Sequence, residues 1–160
     1  GTPDLAVVIL SPPRPGTEGG IVEDRTRTLV MGLRDGAGFR AVQSSSCLAL
    51  CTQCGGVMGD PFQGLSTSGK DRLAVSNYGG SRYRWSVRYV VAWHQGSFRV
   101  VAVDSTSQDT ARPNSVRLQS VNLLDGTQQT GEDAKGKRHK WQPISIDQCE
   151  KLERIPRAVF

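Results

Sequence analysis

Long apolar runs are missing from this chain of 160 residues, and it holds only two histidines, two methionines and 6% aromatic residues. No stretch approaches the ~20 consecutive apolar residues that a helix needs to cross a bilayer, so the chain does not read as membrane-spanning. Neither histidine has a patterned carboxylate beside it. The metalloprotease pair His-Glu-x-x-His, the Gly-x-Ser-x-Gly elbow and the glycine-rich phosphate loop are all absent. Those absences point away from hydrolytic and nucleotide chemistry and towards a non-enzymatic domain. An excess of one sign of charge is also lacking. Lys+Arg 20 against Asp+Glu 15 leaves a net +5, with the cations spread along the chain. That favours acidic partners but does not make a nucleic-acid footprint.

What is present is punctuation. Eighteen glycines and eight prolines divide the chain into short segments, the pattern of a single β-rich domain over 1–160. The clearest segment is 82–93. Tyr83, Trp85, Val87, Tyr89, Val91 and Trp93 alternate with a set that begins Arg82, Arg84, Ser86 and Arg88. Side chains on a strand point alternately to its two faces, so this spacing predicts an aromatic row facing the core and a cationic row facing out. His94-Gln95-Gly96-Ser97 turns the chain back into 98–103 as a hairpin.

Strands are also predicted at 5–10, 27–33, 39–43, 65–68, 72–78, 116–124, 127–130 and 138–141, separated by Gly-containing turns such as Asp35-Gly36-Ala37-Gly38. Residues 11–20 form a Pro/Gly loop, and the polar segment 104–114 reads as a surface excursion. The expected fold is an all-β antiparallel meander, as a sandwich or a partial propeller-like sheet, with one short C-terminal helix at 145–155. Ser145-Ile146-Asp147-Gln148 matches a capping box, and Ile146, Cys149, Leu152 and Ile155 follow on one face up to Pro156.

Four cysteines, Cys47, Cys51, Cys54 and Cys149, suit two disulfides in an exported protein. Four cysteines allow three pairings. The inward position of Cys149 favours a bridge to Cys47, leaving Cys51 with Cys54. The rival is zinc at the Cys51-x-x-Cys54 knuckle, but a closed site wants a second close pair of ligands, and Cys149 stands alone. No cofactor is expected.

The functional lead lies in two places. Cys54-Gly55-Gly56-Val57-Met58-Gly59-Asp60-Pro61-Phe62 packs three glycines and a proline around one acid, and Tyr78-Gly79-Gly80-Ser81-Arg82 follows on. Arginine forks beside aromatic area are enriched in protein-binding hot spots. Gly59, Asp60, Phe62, Tyr78, Ser81, Arg82, Arg84 and Arg88 are therefore the candidate partner-binding residues. The alternative is an envelope hydrolase or glycan-binding protein using Asp60 and Asp104, with Asp109 as a further acid.

Cys51-Thr52-Gln53-Cys54-Gly55-Gly56-Val57-Met58-Gly59-Asp60-Pro61-Phe62 and Asn77-Tyr78-Gly79-Gly80-Ser81-Arg82-Tyr83-Arg84-Trp85 together resemble a double motif in a group of uncharacterised bacterial envelope proteins. The opening Gly1-Thr2-Pro3-Asp4-Leu5-Ala6-Val7-Val8 resembles the tail of an FG-GAP (integrin-type propeller) repeat, which would place a calcium loop at Asp4. The resemblance implies export to the periplasm, or secretion after removal of an upstream signal, and an all-β fold. By analogy it suggests an inhibitor or immunity protein, monomeric or weakly dimeric, that occludes the active site of a toxin or cell-wall hydrolase.

Overall fold

A computed structural model of the chain describes residues 5–15, 21–22, 24–112, 114–131 and 136–158, without the side chains of 14, 15, 21 and 22. Asp4, and with it the calcium reading, lies outside the described residues.

The strands in chain order are β1 (Leu5–Leu10), β2 (Arg14–Pro15), β3 (Ile21–Val22), β4 (Arg27–Asp35), β5 (Gly38–Ser45), β6 (Phe62–Thr67), β7 (Arg72–Gly80), β8 (Tyr83–His94), β9 (Ser97–Asp109), β10 (Val116–Asn122), β11 (Thr127–Thr130), β12 (Lys137–Arg138) and β13 (Ile144–Ser145). A short α-helix, α1 (Cys149–Glu153), follows, and a 3-10 turn spans Gly56–Met58 between β5 and β6. β6 to β12 form an antiparallel meander in which each strand pairs with its sequence neighbour, and β13 adds beside the first residues of β9. β1, β4 and β5 make a separate three-stranded sheet. The expected all-β meander with a short C-terminal helix is the fold observed.

The two sheets share one core. Val75, Val87, Tyr89, Val91, Val100, Val103 and Val121 of the large sheet cluster with Leu29 and Met31 of β4 and with Ile146, Leu152 and Ile155 around α1. Ala6 and Val8 pack against this cluster, whereas Leu5, Val7 and Ile9 alternate outwards. The arrangement is a two-layer sandwich with apolar positions of period two meeting across the gap.

The aromatic row of β8 is buried only along its middle. Val87, Tyr89 and Val91 are buried and Trp85 packs against the cluster, but Tyr83 and Trp93 at the two ends are nearly half exposed. β8 runs for 12 residues, and burial falls away at both of its ends. Trp93 instead sits edge-on against Phe98, with ring centroids 4.9 Å apart.

Three expectations are corrected. The segment 104–109 is no surface excursion. β9 runs on to Asp109, and Ser105, Ser107 and Asp109 turn to the core face, each no more than 5% exposed. The polar composition hid a strand whose inward residues are themselves polar. The short strand β2 interrupts the predicted loop 11–20, pairing with β3 just beyond it in a two-residue ladder; residues 16–20 of that loop lie outside the described residues. The helix begins later than 145. Ser145 pairs with Arg99 in β9 and its hydroxyl accepts from Gln43 Nε2 at 2.7 Å, so it is not free to cap; Gln148 precedes the helix with no side-chain cap. The inward face of Ile146, Leu152 and Ile155 is as the spacing predicted.

Candidate partner-binding surface

The segment 47–61 is short of regular hydrogen bonding, yet four devices hold it. The first is covalent: Cys51 is bonded to Cys54, and Cys47 to Cys149, leaving no free cysteine. No thiolate therefore remains for the zinc reading, and no cluster of three or more His, Cys, Asp or Glu is found among the described residues. The second is close backbone approach. The 55–59 turn closes on itself through Gly55 N–H to Gly59 O at 2.9 Å, then docks on the end of β7 through Gly80 N–H to Gly55 O at 2.8 Å. A Cβ on Gly79 would lie 2.7 Å from Trp85 Cζ2 and 2.9 Å from Gly55 Cα, so the contact requires glycine there.

The third device is Arg27, a buried cation on β4 that the sequence reading passed over. Its Nη1 donates to Leu50 O at 2.6 Å, its Nη2 pairs with Asp60 Oδ2, and its Cζ lies 5.1 Å from the centre of the Phe62 ring. Asp60 also accepts from Phe62 N–H at 3.0 Å. Partial desolvation works to raise the Asp60 pKa, but the Arg27 hydrogen bond, the Phe62 N–H and the Arg27 charge outweigh it and hold the carboxyl below its ordinary range. The fourth is Asn77 of β7, 1% exposed, whose Nδ2 donates to Leu48 O at 2.8 Å and whose Oδ1 accepts from Leu50 N–H at 3.1 Å.

The candidate residues separate on this frame. Gly59 and Asp60 form the base of the loop; Phe62 is partly buried beneath Arg27. Tyr78, Ser81 and Arg82 are exposed beside the docked loop. The arginine row is not the unpaired cationic face that alternation suggested. Arg82 forks onto Asp109 at 3.0 and 3.1 Å, Arg84 donates to Gly80 O at 3.1 Å, and Arg88 reaches Asp104 at 3.4 Å and Ser68 Oγ at 2.8 Å. The candidate acids thus each answer to a different arginine: Asp60 to Arg27, Asp104 to Arg88 and Asp109 to Arg82. Arg82's hydrogen bond is the main cause of an Asp109 pKa below the ordinary value. Asp60 and Asp109, held ionised in this way, are poorly suited to act as general acids.

What sequence reading missed is the tip. Val57 is 82% exposed and Met58 44% exposed, on the turn that docks against the Gly79–Gly80 end of β7. Both lay inside the glycine-rich motif, and the available signal was an adjacent apolar pair where a turn would be polar. The arrangement can present apolar side chains on a backbone that is already ordered.

No family model matches the chain, and no curated protein and no solved structure matches it.

Proposed function

We propose that this chain is a non-enzymatic, periplasmic or secreted protein-binding domain, of the inhibitor or immunity type, that occludes the active site of a toxin or cell-wall hydrolase. The observation that carries the reading is the tip of the 55–59 turn, where Val57 and Met58 project into solvent from a loop fixed by a disulfide, a buried arginine and two glycine contacts. Holding apolar groups in water has no benefit to folding, and ordering the loop beforehand lowers the entropy lost when a partner covers it. Arg82, with its guanidinium 5.4 Å from the centre of the Tyr83 ring, and Tyr78 would supply the rim. Two disulfides fit an oxidising compartment, and among the described residues no helix is long and apolar enough to cross a membrane.

The test is inhibition. Purified protein is titrated into envelope extracts digesting labelled peptidoglycan, beside V57S/M58S, and the bound partner is recovered by cross-linking. The reading expects wild-type protein to suppress a hydrolase, and the double variant to bind it at least ~30-fold more weakly, the scale of a hot-spot loss, with unaltered melting. Undiminished binding by the double variant, or no hydrolase inhibited or recovered, would overturn it.

A further inference from the structure

A second site lies away from that tip, where the polar half of β9 meets the C-terminal segment 156–158. This segment crosses the core face of the large sheet, and Ala158 N–H donates to Ser105 Oγ at 2.9 Å. Arg157 reaches inward, its Nη2 donating to the Tyr89 hydroxyl at 2.7 Å and its Cζ lying 5.6 Å from the Tyr89 ring centre. Burial keeps that phenol neutral by raising its pKa, so it cannot serve as a counter-ion. No carboxylate among the described residues lies within 4.0 Å of the Arg157 guanidinium, and its Nε is buried with no hydrogen-bond partner.

Arg157 is not alone in this. Gln119, opposite Ser105 on β10 and 9% exposed, also has a buried amide nitrogen, Nε2, without a partner, and it lines a cleft of about 290 Å³ together with Arg157. On the other side of the crossing, Arg157 and Ser107 line a cleft of about 370 Å³ whose remaining walls include Leu50, Trp85 and Val87. The Ser107 hydroxyl has no hydrogen-bond partner among the described residues. Native proteins rarely leave buried donors unanswered, and an unpaired half-buried cation is costlier still. One forked cation, one free hydroxyl and an apolar wall within a ligand-sized cleft make a consistent set.

We propose that the cleft between Trp85 and Arg157 binds a small amphipathic carboxylate, with its apolar body against Trp85, Val87 and Leu50 and its carboxylate accepting from the Arg157 guanidinium and the Ser107 hydroxyl. A single cation suits a monoanion better than a phosphate dianion. The apolar wall selects an aromatic or branched aliphatic acid. The site uses none of the residues at the Val57–Met58 tip and stands or falls independently of the partner-binding reading.

The probe is 3-phenylpropionate, titrated into ¹⁵N-labelled protein while the Trp85 indole N–H is followed, with 3-phenylpropionamide as the uncharged control. A ligand of this size that makes one charge pair should bind at about millimolar concentration. The amide and the R157Q variant should each bind at least ~10-fold more weakly, and S107A severalfold more weakly, S107A being the smaller change if R157Q melts early. V57S/M58S should bind like wild type. N-acetylglycylphenylalanine, which carries the same carboxylate at a chain terminus, separates the sources: tighter binding than phenylpropionate assigns the site to peptide termini, weaker binding to free acids. Equal affinity for acid and amide, undiminished binding by S107A and R157Q, or no movement of the Trp85 signal up to about 20 mM acid would overturn the proposal, since that concentration exceeds the affinity expected.

Discussion

Replacing Asn77 with alanine should be among the most damaging single changes in the chain. The side chain is 1% exposed and joins β7 to the segment between the two disulfides, donating to Leu48 O and accepting from Leu50 N–H. Alanine removes both bonds and leaves the buried Leu48 carbonyl and the partly buried Leu50 N–H without that partner. Each such loss costs about 1–3 kcal/mol, and the small cavity adds to it, so a total of about 3–5 kcal/mol is expected. Against the ~5–15 kcal/mol by which domains are usually stable, that is a large fraction. Urea unfolding followed by tryptophan fluorescence measures it, with the midpoint falling at unchanged slope if the denatured state is unaffected. Because Leu48 and Ala49 belong to the core, freeing their backbone should also increase amide exchange across 48–50 before global unfolding. A loss below about 1 kcal/mol would mean that water replaces the amide without penalty, and that this segment is not held as described.

The two disulfides should contribute unequally. Cys47–Cys149 closes a separation of 102 residues and Cys51–Cys54 one of only 3, so by loop entropy C47S/C149S should cost about 4–5 kcal/mol and C51S/C54S about 2. Denaturant midpoints compare them, and a reversed order would show that the short bridge acts mainly by holding the folded loop. Stability should also fall in acid. Asp109 and Asp60 both have pKa values below the ordinary 3.8, so their contribution is fully present above that value and is lost as pH falls through the folded-state pKa. Melting temperature should be nearly level from about pH 7 to 5 and drop below about pH 4. D109N should flatten the drop, and an unchanged acid limb would remove Asp109 from its cause.

The strand pattern was legible because it is local. In 82–93, alternation of period two identifies the strand and its inward middle, and turn residues such as Gln95-Gly96 mark the hairpin whatever lies above the sheet. The inward face of 146–155 was equally readable, and with it the choice of Cys149 as partner for Cys47. The candidate surface was read only in part. The glycine-rich loop and Tyr78 do come together, but the arginines drawn as a free row are each engaged by an acid or a carbonyl that sequence could not place beside them.

The reason is separation along the chain. Arg27 meets Asp60 across 33 residues, Asn77 meets Leu48 across 29, and Gln43 meets Ser145 across 102. No periodicity encodes such pairs, because they exist only once two sheets have packed. The same holds for β9, where Ser105, Ser107 and Asp109 look like a loop until the ladder with β8 turns them inward, and for Arg157, which has no described carboxylate within 4.0 Å. Residue order alone set the strands, their turns and their apolar faces, since these depend on neighbours one to four positions apart. Which polar groups are satisfied, which acids are held ionised and which donors are left over depended on the packed chain, because burial and charge pairing are decided by distance in space.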